Sequence, residues 1–155
     1  MACEYKLRHR VEFVDTDMAG IVHFSNFFRW MEHAEHAFFR SLGFSLHNQG
    51  AEEMSGWARV RAGCDYKMPL RYQDLVEVQL RVVAKGATTL SYELVFFRID
   101  STELCAPEDA RGKLQEVARG EMKTCFVTRP RGEAIQAKKI PRRIDEAIQV
   151  AQQTP

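Results

Sequence analysis

The stretch VEFVDTDMAGIVHFSNFFRWMEHAEHAFF, residues 11–39, passes from a strand pattern to a helix pattern within a few positions. It continues an alternation that starts at Glu4, with Tyr5, Leu7, His9, Val11 and Phe13 on one face and Lys6, Arg8, Arg10 and Glu12 on the other. That period of two predicts a half-buried strand reaching Val14. The alternation stops at DTDMAG, residues 15–20, where two aspartates and a glycine intervene. Beyond it Phe27, Met31, Ala34 and Phe38 recur at helical spacing, Trp30, Ala37 and Ser41 add a second row, and Gly43 is placed to end the helix. A helix apolar over more than a narrow stripe is expected to be wrapped by other structure.

Downstream the period returns to two. GWARVRAGCDYK, DLVEVQLRVVAK, TTLSYELVFFRI and LQEVARGEMKTCFV each read as strands rich in Val, Leu, Phe, Tyr and Thr. Pro69 breaks the KMPLRYQD segment, Gly86 suits a tight connection in KGAT, and DSTELCAPEDARGK reads as a longer, mobile hairpin loop. After Val127 the period is lost until PRRIDEAIQVAQQTP, a short amphipathic helix with Ile144, Ala147, Ile148 and Ala151 on one side. One strand, one long helix and a run of hairpin-connected strands predict an α+β domain with an antiparallel sheet, helix on one face. The expected division is a domain over residues 1–130 and a C-terminal extension with a short helix over 131–155. Open sheet edges favour self-association.

The bulk numbers narrow the function. A chain of 155 residues, 45% hydrophobic and 28% charged, fits one globular domain. Twenty-two Lys and Arg against 21 Asp and Glu leave a net charge of +1, which argues against a nucleic-acid or anionic-membrane partner. Cys3, Cys64, Cys105 and Cys125 are widely spaced and read as free thiols, the N-terminus lacks an apolar signal region, and no run is long enough to cross a bilayer. The expectation is a cytoplasmic protein.

Asp15 and Asp17 admit two readings. In one, an aspartate caps a turn in which Gly20 takes a positive φ, and spacing alone favours that. In the other, Ser25 or Asn26 caps the helix, and the amides of His23, Phe24 and the first turn face the aspartates in an electropositive pocket. A carboxylate beside fixed N–H donors suits acyl transfer, attacking directly or activating water while the donors hold an oxyanion. The EHAEH run, residues 32–36, places His33 and His36 on one helix face, but zinc needs further ligands; a solvated polar face is the expectation, and no metal or cofactor is expected. His9 and His47 read as structural.

DTDMAGIVHFSNFFRW resembles the signature of the 4-hydroxybenzoyl-CoA thioesterase group of hotdog-fold acyl-CoA thioesterases, which includes the YbgC-like enzymes. The likeness is specific over residues 10–44 and rests on strand order and spacing over 56–127. It implies an antiparallel sheet wrapped around one long central helix, dimers joined sheet edge to sheet edge, often paired into homotetramers, and active sites at the dimer interface. It implies hydrolysis of an acyl-CoA or, second to that, of an acyl carrier protein thioester, with Asp17 as the catalytic carboxylate, the Phe24 backbone amide holding the thioester oxygen, and Asp15 fixing the turn. Gly20, Val22, His23 and Asn26 would line the site. His23-Phe24 departs from the usual order of an aromatic followed by a histidine, so no catalytic role is carried to His23.

The nucleotide of CoA is polyanionic. Lys85 with the Gly86 turn is the preferred place for it, because related enzymes often hold the nucleotide near this hairpin; Arg59, Arg61, Arg129 and Arg131 are further candidates. Three rivals stand beside hydrolysis: a non-catalytic acyl-CoA-binding protein of the same fold, a hydroxyacyl-thioester dehydratase using a histidine with an acidic partner, and an oligomeric scaffold.

Overall fold

The computed structural model describes residues 2–50, 52–101 and 105–152. Strand β1 (Glu4–Arg10) leads through a loop to helix α1 (Ser25–Ser41), followed by β2 (Asn48–Gln49), β3 (Glu53–Tyr66), β4 (Leu75–Lys85), β5 (Thr89–Asp100), β6 (Lys113–Pro130), β7 (Gln136–Ala137) and helix α2 (Arg142–Ala147). One sheet runs in the order β1-β4-β5-β6-β3-β2, with β7 also on β6, and every ladder is antiparallel. This is the α+β arrangement expected, a sheet curled around one long helix, and the four long downstream strands are the four read from the sequence. The two-residue strands β2 and β7 were not anticipated, being too short to carry a period.

The core lies between α1 and the concave face of the sheet. Phe27, Trp30, Met31, Ala34, Phe38 and Phe39 join Val76, Val78, Leu80, Leu94, Phe96 and Val117 in one cluster, all but sealed from solvent. Burial of this kind contributes roughly 1.5–3 kcal/mol per large side chain. Gly120 leaves room where Met31 meets β6: a Cβ there would lie 2.3 Å from the Met31 methyl, which would have to shift. At its C-terminus α1 stops as expected: Gly43 has φ +79°, and the Phe44 and Gly43 amides close onto the Phe39 and Arg40 carbonyls.

Three local expectations change. Strand β1 ends at Arg10, not Val14, because a capping box between Glu12 and Asp15 winds residues Phe13–Asp15 into a 3-10 turn; Phe13 is 76% exposed and sits edge-on to Tyr72. The β5–β6 connection, read as a mobile loop, is anchored where it can be described: Ala110 is buried against Leu75 and Ile99, and Arg8 and Arg10 donate to the carbonyls of Ala110 and Cys105. Residues 102–104 of that insert lie outside the described residues. Helix α2 is only six residues long, after which Ile148 turns extended and bridges to Ala2; the last three residues of the expected helical stretch, 153–155, also lie outside the described residues. Ile140, Ile148 and Ala151 are all buried, the first two within the main core. Among the described residues no helix is long and apolar enough to cross a membrane.

Candidate active site

The loop between β1 and α1 is held by its own backbone. Thr16 and Val22 form an isolated bridge, Asp17 and Ile21 close a turn (N···O 2.9 Å), and Gly20 completes it at φ +76°, a conformation that would strain any side chain. The Asp15 carboxylate accepts from the Glu12 amide, while its carbonyl accepts from both the His23 amide and the Asn26 side-chain amide at 2.8 Å. Asn26, buried inside the first turn, thereby ties the helix to the loop.

The start of α1 differs from expectation. Its cap is Phe24, with no side-chain capping bond; Ser25 and Asn26 lie inside the helix. The Ser25 hydroxyl instead pairs with His23 Nδ1 at 2.7 Å. The His23 amide is used by Asp15, whereas the Phe24 amide donates to no group among the described residues. An unpaired N–H at a helix start is a donor for a developing negative charge.

Asp17 is exposed. Its Oδ1 accepts from the Ala19 amide at 2.8 Å, and among the described residues Oδ2 has no partner. A cleft of about 540 Å³ brings Asp17, Val22 and Phe24 together with Ile21, Phe27, Tyr66, Lys67, Met68, Pro69 and Leu70. Asp17 and Phe24 therefore line one cavity whose walls are mostly apolar. Gly20, His23 and Asn26 shape the loop around it without lining it.

Tyr66, Met68 and Leu70 were missed. The KMPLRYQD segment read only as a turn around Pro69, and its placement against the helix start comes from the Val22 amide bonding the Leu70 carbonyl at 2.8 Å. Lys85 lies outside this cleft, with its ammonium engaged on the Asp145 carboxylate (3.1 Å) and on the carbonyls of Asp145 and Ile148. It caps the C-terminal end of α2. Of the other cations, Arg59 pairs with Glu35, Arg61 with Glu121, and Arg129 rests on the Met54 sulfur.

The EHAEH face is not uniformly solvated. Glu32 and His33 are exposed, but Glu35 is 1% exposed, bonded to Arg59 at 2.8 Å and adjacent to the buried Tyr92. Burial raises the Glu35 carboxyl despite the Arg59 charge, and burial raises the Tyr92 hydroxyl well above its ordinary value. The second Glu35 oxygen and the Tyr92 hydroxyl meet no well-aligned partner among the described residues. The His9 ring packs tilted against Trp30, centroids 4.4 Å apart, and desolvation by burial lowers its pKa to about 4.

Residues 11–148 match the thioesterase-like superfamily. A protein of Aquifex aeolicus (strain VF5) that bears the provisional name of esterase is 38% identical over 96 residues, which cover 60% of this chain and 72% of that protein. Among solved structures, a hypothetical protein from Aquifex aeolicus superposes with a TM-score of 0.72 at 28% identity, covering 94% of this chain and 99% of that one. The 4-hydroxybenzoyl-CoA thioesterase of Pseudomonas sp. strain CBS-3 superposes with a TM-score of 0.77 at 20% identity, again over 94% and 99%, a likeness of fold.

Proposed function

We propose, for a chain that belongs to the thioesterase-like superfamily and is by that membership a thioester hydrolase, that the substrate is an acyl-CoA and that Asp17 and the Phe24 amide carry out its cleavage. The observation that supports this reading is the shared cleft, lined by Asp17, which has one carboxylate oxygen without a partner among the described residues, and by Phe24, whose helix-start amide likewise has none there. The amide stabilises negative charge on the thioester oxygen as the carbonyl is attacked. Asp17 attacks the carbonyl carbon itself, expelling the thiolate and leaving an anhydride for water to open, or it takes a proton from the attacking water; both routes end in free acid and thiol. The apolar walls supplied by Ile21, Val22, Phe27, Met68 and Leu70 suit the acyl group. Two copies joined along the open edge of β3, where Val60 is 56% exposed, would carry the sheet across the seam, with the sites at that interface.

The dehydratase alternative needs a histidine paired with an acid, and His23 pairs with the Ser25 hydroxyl instead. The test is release of free thiol from short-chain, long-chain and aromatic acyl-CoAs by the wild-type protein and Asp17→Asn side by side. Hydrolysis that collapses in the variant is expected; a variant as active as wild type on every thioester cleaved would sink the assignment of Asp17.

A further inference from the structure

Helix α1 begins at Phe24 without a side-chain cap, and beyond the helix's own ladder its first carbonyls take further donors. On one side the His23 carbonyl accepts from the Asn26 amide at 3.0 Å. On the other, the Phe24 carbonyl accepts from the Phe27 amide at a long 3.3 Å and from the Tyr66 hydroxyl at 3.0 Å. The phenol is the closer of these two donors to the Phe24 carbonyl.

Tyr66 is itself fixed at both ends. It is the last residue of β3, paired across to Ala118, and the next two amides, Lys67 and Met68, both donate to the Val117 carbonyl at 2.8 and 3.0 Å. Its ring stands edge-on to Phe27, with centroids 5.0 Å apart, and lines the same cleft as Asp17 and Phe24. Partial burial, with the neighbouring Cys64 thiol, pushes the hydroxyl up to about 12, so it stays a donor throughout the neutral range. The bond joins the end of one strand to the residue that caps the helix, and both residues line the cleft.

Resting on the thioesterase reading, we propose that Tyr66 is a positioning residue: its hydroxyl, by holding the Phe24 carbonyl, fixes the residue whose N–H polarises the thioester, without touching the substrate itself. Polarisation by a fixed dipole depends on that dipole being in place before charge develops, so loosening the residue weakens the donor even though the N–H remains.

Tyr66→Phe keeps the ring and removes only the donor. With benzoyl-CoA and hexanoyl-CoA as probes, kcat is expected to fall about tenfold with KM within about twofold of wild type and the melting temperature held, since only a donor acting at one remove is lost. The decisive readout is spectroscopic. Benzoyl-CoA labelled with ¹³C at its carbonyl, bound to Asp17→Asn protein so that it survives, should show a carbonyl stretch lowered from its solution value, and adding Tyr66→Phe should reverse part of that shift. An unchanged kcat, or a fall in kcat with the stretch unmoved, overturns the proposal while leaving hydrolysis by Asp17 intact. A wild-type protein that cleaves neither probe nor any other acyl-CoA overturns the thioesterase reading and this inference with it.

Discussion

Two carboxylates served by the same helix have opposite surroundings. Asp17, before the start of α1, is exposed, and among the described residues carries no ion pair and keeps one oxygen free. Glu35, ten residues into α1, is sealed from solvent and matched to Arg59 from β3. Water reaches the first, so its charge is available for chemistry. The second is out of reach, and its charge ties the helix to the sheet. Acidity in the sequence says nothing of this difference; access and pairing decide it.

The comparison breaks most readily at Asp17. Exchange to Asn should lower turnover by about 10²- to 10⁴-fold, the usual range for losing a positioned acid–base group, while leaving the melting temperature within about a degree. A large loss of stability would move Asp17 into the structural class. Glu35→Ala should do the reverse. Orphaning Arg59 and opening space beside Tyr92 costs roughly 3 kcal/mol in denaturant unfolding, with activity per folded molecule retained. A stable but inactive Glu35 variant would show that the buried pair acts in catalysis.

His9 sharpens the contrast, because burial against Trp30 makes it resist charge. Its folded value of about 4 lies below the ordinary 6.5 of the unfolded chain, so between those two pH values the unfolded state holds more protons. Stability is therefore complete above about pH 6.5 and is lost as pH falls toward 4, by at most roughly 3 kcal/mol. Unfolding curves across that window should show the slope, and His9→Phe should flatten it. The smallest effect is expected at Lys85. Exchange to Met removes the partly buried cap on α2 and should cost about 1 kcal/mol, seen as easier proteolysis of the C-terminal segment. Loss of CoA affinity from that exchange, with the segment still protected, would return Lys85 to the nucleotide site.

Much of the architecture was readable because its signals are local. The apolar rows of α1 and the Gly43 stop depend on residues within a turn or two of one another, and both appear where the pattern put them. The ends of elements were less readable. Strand β1 stops at Arg10 because the Glu12–Asp15 capping box outcompetes continued alternation, and α2 stops at Ala147 because Ile148 finds a bridge to Ala2. Neither contest is visible in periodicity.

What the sequence determined alone was the kind of chain: one strand, one long apolar helix, four further strands, and an acidic turn immediately before the helix, each set by short-range sterics and spacing. Tertiary structure decided which groups have partners. It brought the Tyr66 hydroxyl to the Phe24 carbonyl from 42 residues away, and hid Glu35 against Arg59 while leaving Glu32 in water. The reason is physical: a donor or a charge is defined by what surrounds it, and those surroundings come from strands brought together only when the sheet closes around the helix.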